Sequence, residues 1–197
     1  MRLNRPVAAS ALILALLLAA CGGSGSSTSA SPSPTEEPSI ASSAGPAADL
    51  EALIPDEIGG IALQKTSMSG DQFVNSGSST QELETFLAGL GVSVSDVSIA
   101  IGFGLSAEAG NAVAMFLFRA EGAETGRLVT GFKEAYDADN EQGLVWEPAS
   151  IGGKAVERTT NPQQPAQIIY LYARDDILYF LTTATEEQAA EALAALP

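Results

Sequence analysis

The sequence predicts an α+β fold, a largely antiparallel sheet of about six strands carrying three helices. Three observations predict it. Strand-length apolar runs come in two closely spaced pairs, residues 97–103 with 112–119 and 167–173 with 177–183. Three other segments place their apolar residues at helical spacing. Finally, the domain reads twice as strand, hairpin, helix, which suggests a pseudo-two-fold repeat over 58–136 and 151–196.

The repeat begins at a ten-residue motif. Ile58-Gly59-Gly60-Ile61-Ala62-Leu63-Gln64-Lys65-Thr66-Ser67 aligns with Ile151-Gly152-Gly153-Lys154-Ala155-Val156-Glu157-Arg158-Thr159-Thr160. Both copies read as a Gly-Gly turn entering a strand. The first motif stands farther from its hairpin, and the added residues hold a helix. Ser79 and Glu82 have the spacing of a capping box, Leu83, Phe86, Leu87 and Leu90 share one face, and Gly91 stops it. The hairpin 97–103/112–119 follows, then a helix over 124–136 with Leu128, Val129, Phe132 and Tyr136 on one side. In the second half Arg174-Asp175-Asp176 forms the tight turn between the last two strands. Thr185, with Gln188, caps the closing helix over 186–196, whose face is Ala189, Leu193 and Leu196.

Ahead of this domain (49–197) lie two segments of different character. Residues 1–20 carry Arg2 and Arg5 and then an uncharged run, 7–20, too short for a membrane span and typical of a signal-peptide core. The run ends Leu18-Ala19-Ala20-Cys21 and is followed by Gly22. This resembles the lipobox of bacterial lipoprotein precursors, and in layout the chain resembles small bacterial lipoproteins. The resemblance covers about the first tenth of the chain. It implies cleavage before Cys21, lipidation of Cys21, and anchoring by acyl chains on the extracytoplasmic side of the cell membrane. Acyl chains contribute about 0.8 kcal/mol per buried methylene, so two suffice for a stable anchor without a protein span. Residues 21–48 are almost all Gly, Ser, Ala, Thr and Pro and form a disordered tether, with a reach of roughly 30 Å as a coil.

Composition excludes much chemistry. The chain has no His and one Cys. A Ser-His-Asp triad, a Cys-His pair, a His-ligated metal and an internal disulfide are therefore ruled out. The formal net charge is −15, and removal of Arg2 and Arg5 with the leader takes it to −17. Such an acid excess disfavours nucleic acid as a partner. Two motifs come close to a cofactor or metal site and fail. Gly102-Phe103-Gly104 lacks the third Gly of a dinucleotide fingerprint, where Ala107 stands, and reads as a tight hairpin loop. Asp137-Ala138-Asp139-Asn140-Glu141-Gln142-Gly143 begins like a calcium loop but lacks its Gly and closing Glu, and reads as a solvated acidic loop. No cofactor and no metal are expected.

The strands are apolar on both faces. Val113, Met115 and Leu117 oppose Ala114, Phe116 and Phe118; Tyr170 and Tyr172 oppose Ile169 and Leu171. A sheet covered on one side alternates apolar with polar, so both faces of this one need cover. Three occupants compete: the chain's own helices, a protein partner or second copy (a homodimer), and a hydrophobic ligand. The candidate apolar surface is Phe103, Phe116, Phe118, Trp146, Tyr170 and Tyr172. The expected function is a non-enzymatic, lipid-anchored module presenting an acidic binding surface to an envelope partner. The alternative is a carrier or sensor of a lipid or small apolar ligand held between sheet and helices.

Overall fold

The computed structural model describes residues 47–76, 80–106, 112–139, 144–160 and 166–197, and the side chains of all of these except 80–82 and 139. Cys21, the leader, residues 21–46 of the tether, Ser79 and residues 140–143 of the acidic stretch lie outside them. The elements run α1 (Ala48–Glu51), β1 (Glu57–Ile58), β2 (Ile61–Ala62), β3 (Gln64–Ser69), α2 (Gly70–Asn75), α3 (Thr80–Leu90), a 3-10 turn (Val94–Asp96), β4 (Val97–Leu105) and β5 (Ala112–Ala120). Then come α4 (Thr125–Asp139), β6 (Glu147–Ile151), β7 (Lys154–Thr160), β8 (Ile168–Arg174), β9 (Ile177–Thr183) and α5 (Glu186–Ala195). Strands β3 to β9 form one antiparallel sheet in the order β3-β4-β5-β9-β8-β7-β6, and β1 and β2 pair separately.

The fold is α+β as expected, with more elements than the six strands and three helices read from the sequence. The seventh strand of the sheet is β6. It escapes detection because it is a short edge strand containing Pro148, which cannot donate to a ladder and is tolerated only where one side is unpaired. The extra helices are α1 and α2. The second has a signal that was readable: the Ser69 hydroxyl accepts from the Gln72 amide and Gln72 returns a bond to the Ser69 amide. Ala47 is buried in the core, so the domain includes residues assigned to the end of the tether.

Helices cover both faces of the sheet. On one, α1, the segment through Ile54, Ile58 and Ile61, and α5 bury Ala100, Met115, Leu117, Tyr170, Tyr179 and Leu181. The α1 end is held by Arg119, which donates to Asp49 at 2.6 Å, and by Ser67, which donates to Glu51 at 2.9 Å. The hydrogen bond and charge of Arg119 hold the Asp49 carboxyl below its usual value. On the other face α3 and α4 cover Val97, Ile99, Phe118, Leu171 and Leu178. Gly102 and Gly104 do not form a hairpin loop; both lie inside β4. A Cβ at Gly104 would sit 2.6 Å from the Ala62 carbonyl oxygen, and one at Gly102 would sit 2.6 Å from Ile54. Their missing side chains let the segment from Ile54 to Leu63 cross directly over the strand.

The two Gly-Gly turns have nearly the same backbone, with φ of 58° and 74° at Gly59 and Gly60 and 57° and 77° at Gly152 and Gly153. Both abut α5, at Gln188 and at Ala190 and Ala194. At the centre of the sheet, Met115 faces Leu181, Ala114 faces Thr182 and Phe116 faces Phe180. The helices after the two hairpins do not follow this correspondence, since α4 and α5 lie on opposite faces.

Two polar atoms in the α5 layer are stranded among the described residues, the Tyr170 hydroxyl and Gln188 Oε1. Tyr170 is 0% exposed and its hydroxyl has no hydrogen-bond partner. Burial also raises its pKa. A buried unpaired hydroxyl costs roughly 1–3 kcal/mol. Tyr170→Phe is therefore expected to leave the domain at least as stable, by up to about 1 kcal/mol in urea unfolding. A clear loss of stability would show that the hydroxyl is satisfied.

Candidate functional site

The six apolar candidates do not form one surface. Strand alternation puts Phe103, Phe116 and Phe118 on the α4 face, where Trp146 also packs, and puts Tyr170 and Tyr172 on the α5 face. Phe118 is 4% exposed under α3, with its ring 5.8 Å from Phe86. Phe103, Phe116 and Trp146 are half-buried. Tyr172 is half-buried too, its ring tilted against Tyr179 at 5.3 Å and covered by the Lys154 ammonium at 5.6 Å. The α5 side is the more closed of the two, with Tyr170 fully buried. Residues left partly open, including Phe116, Phe132, Phe180 and Trp146, concentrate on the α4 side.

What opens that side is the position of α4. The helix lays Leu128, Val129 and Phe132 against β8 and β9, while β7 and β6 extend beyond it. A cleft of about 650 Å³ remains between the helix and these outer strands. Its floor is Leu171 and Ala173 of β8, Ala155 and Glu157 of β7, and Pro148 of β6. Its wall is α4, through Thr125, Gly126, Val129, Thr130, Lys133, Glu134 and Asp137. The small floor residues leave room beneath the helix, and the helix supplies the polar rim.

Trp146 is fastened to that rim. Its indole nitrogen donates to Asp137 at 3.2 Å, and its ring meets Tyr136 edge-on at 6.1 Å. Phe132 and Tyr136 in turn pack on Phe180, at 5.6 and 5.5 Å. Burial raises the Tyr136 pKa, and the Asp137 carboxylate adds to the shift. Lys133 donates to Glu157 at 3.1 Å, and its ammonium lies 5.6 Å from the Trp146 ring centroid. The ion pair joins helix to floor with both side chains about a third exposed, 27% and 33%. A pair this open adds little stability, so its interest is chemical.

Lys133, Glu134, Asp137 and Glu157 were not read as site residues from the sequence. A signal for two of them was present. Lys133 and Asp137 follow Phe132 and Tyr136 directly and are four apart, at the border of the apolar stripe of α4. Asp137 belongs to the last turns of α4 rather than to a loop after it, because the helix runs three residues past Tyr136. Glu157 could not be recognised, since its partner is brought to it only by the packing of α4 on the sheet.

Fold and cleft together define an antiparallel α+β domain with helical layers on both faces and an open, amphiphilic groove on one. No family model matches this chain, and no curated protein or solved structure is significantly similar to it. Among the described residues no helix is long and apolar enough to cross a membrane, and no three Cys, Asp or Glu side chains cluster as a metal site.

Proposed function

We propose that this protein is a non-enzymatic, lipid-anchored component of a bacterial cell envelope. Its domain is presented outside the cytoplasmic membrane as a binding module, and the α4–β7 cleft is its binding surface. The observation that carries the binding reading is the cleft itself, with Leu171, Ala173 and Ala155 beside Glu157 on its floor and charged α4 side chains on a rim next to Trp146. The anchor reading rests on Leu18-Ala19-Ala20-Cys21 and the Gly/Ser/Pro tether after it. Cys21→Ser tests it. The variant is expected to stay unprocessed or to leave the membrane fraction, with the lipid mass gone from the mature protein. Unchanged mass and partition would refute the anchor.

A second reading, a carrier or sensor of a lipid or small apolar ligand, draws on one feature. Val129, Leu171 and Ala173 place the apolar part of the cleft between helix and sheet, where such a ligand would lie. A neutral apolar probe binding as well as a charged one would favour it. A homodimer through the same face predicts a second-order association of the purified protein.

We also infer that the two halves are an internal repeat about a pseudo-two-fold axis normal to the sheet at Met115 and Leu181. The matching turns support it, as does the central register, which maps Phe116 onto Thr182 and Ala114 onto Phe180. The helices depart from the symmetry, since α5 packs on β1, β9 and β6 on one face while α4 lies on the other.

A further inference from the structure

We propose that the cleft docks a basic peptide segment, with its cationic side chains at Glu134 and Asp137 and its apolar ones on Leu171 and Ala173. The inference rests on the reading of the cleft as the binding site and names the partner's chemistry. Charge complementarity carries it. Every Lys and Arg of the domain is already engaged. Lys65, Arg119, Lys133, Arg158 and Arg174 pair with carboxylates, and Arg127 and Lys154 donate to the carbonyls of Gly89 and Pro197. An anionic ligand would therefore meet a large excess of carboxylates, with only Arg127 and Lys154 not already paired with one.

The cleft repeats this imbalance at close range. Glu134, Asp137 and Glu157 share it with Lys133 alone. Moreover, the Lys133 ammonium rests between the Glu157 carboxylate and the Trp146 ring, so this rim already stabilises a cation supplied by its own chain. A Lys or Arg side chain from a partner suits the remaining geometry. Its aliphatic stem lies along the apolar floor while its head reaches the carboxylates of α4. Steering by the net negative domain would speed the encounter and make it salt-dependent.

Trp146 is the only Trp, so its fluorescence reports on the cleft. The full-length protein in nonionic detergent is titrated with three nine-residue peptides alternating Ala with Lys, Ser or Glu. The Lys peptide is expected to bind about tenfold or more tighter than the Ser peptide, and the Glu peptide not to bind. Glu134→Gln with Asp137→Asn should weaken the Lys peptide about fivefold or more. Glu57→Gln with Glu187→Gln, an equal charge change on the α5 side, should leave it unchanged. Equal binding of the Lys and Ser peptides would overturn the cation inference and leave the cleft as a binding site. Equal weakening by both double variants would overturn it in favour of general charge attraction. No response of Trp146 to any peptide would overturn the cleft reading along with it.

Discussion

Gly152→Ala is expected to destabilise the domain by about 2–5 kcal/mol, and Gly153→Ala, one residue on, by only about 1–2 kcal/mol. Both residues have positive φ, so both substitutions carry the cost of placing a Cβ in the left-handed region. They differ in their surroundings. A Cβ at Gly152 would stand 2.5 Å from the Ala190 carbonyl oxygen and 2.8 Å from the Ala194 nitrogen, so α5 itself must shift. A Cβ at Gly153 meets nothing within 4 Å. The other turn supplies an internal control. At Gly59 the obstacle is the Gln188 side chain, with its Cγ 2.7 Å away, rather than the backbone of α5. Gly59→Ala should therefore fall between the two. Urea denaturation of the four single variants, Gly60→Ala included, checks the order. Equal losses at Gly152 and Gly153 would mean that α5 does not press on the second turn.

The same comparison shows how much of the fold can be read from the sequence. Turn chemistry is local, and both Gly-Gly turns, the Asp175-Asp176 turn and the Thr185 cap are formed by the residues that signal them. Strand alternation is also local. It separates Met115 and Leu117 from Phe116 and Phe118 correctly, and it implies that both faces need cover. What covers each face depends on where a helix goes after its hairpin, and no residue pattern in α4 or α5 carries that information. α5 takes the space across the centre of one face, and α4 is left to the other. The cleft is a consequence of that choice. Its acids lie on α4 and β7, which β6 separates in the chain, and Leu171, Ala155 and Ala173 of its floor look like ordinary core. For this reason aromatic content drew attention to Tyr170 and Phe118, both buried, while the Lys133–Glu157 pair gave no sign of itself.

Phe118 gives the sharpest test of the α4 face, because a binding surface and a packed core predict opposite behaviour there. If Phe118 met a partner, truncating it would change affinity and leave folding almost intact, as exposed substitutions do. In the structure it lies between Ile99 and Leu178 in the register of β4, β5 and β9, under α3, with Phe86 against its ring. Phe118→Ala is thus expected to cost about 3–5 kcal/mol through lost burial and the cavity left behind. For a domain of this size that lowers Tm by roughly 6–20 °C. Phe103→Ala, half-buried on the same strand face, should cost clearly less, because part of its ring is in water in the folded state too. The pair separates packing from exposure at constant chemistry. If both variants unfold at the same temperature, α3 does not cover Phe118, and the aromatic face is more open than the packing of α3 and α4 implies.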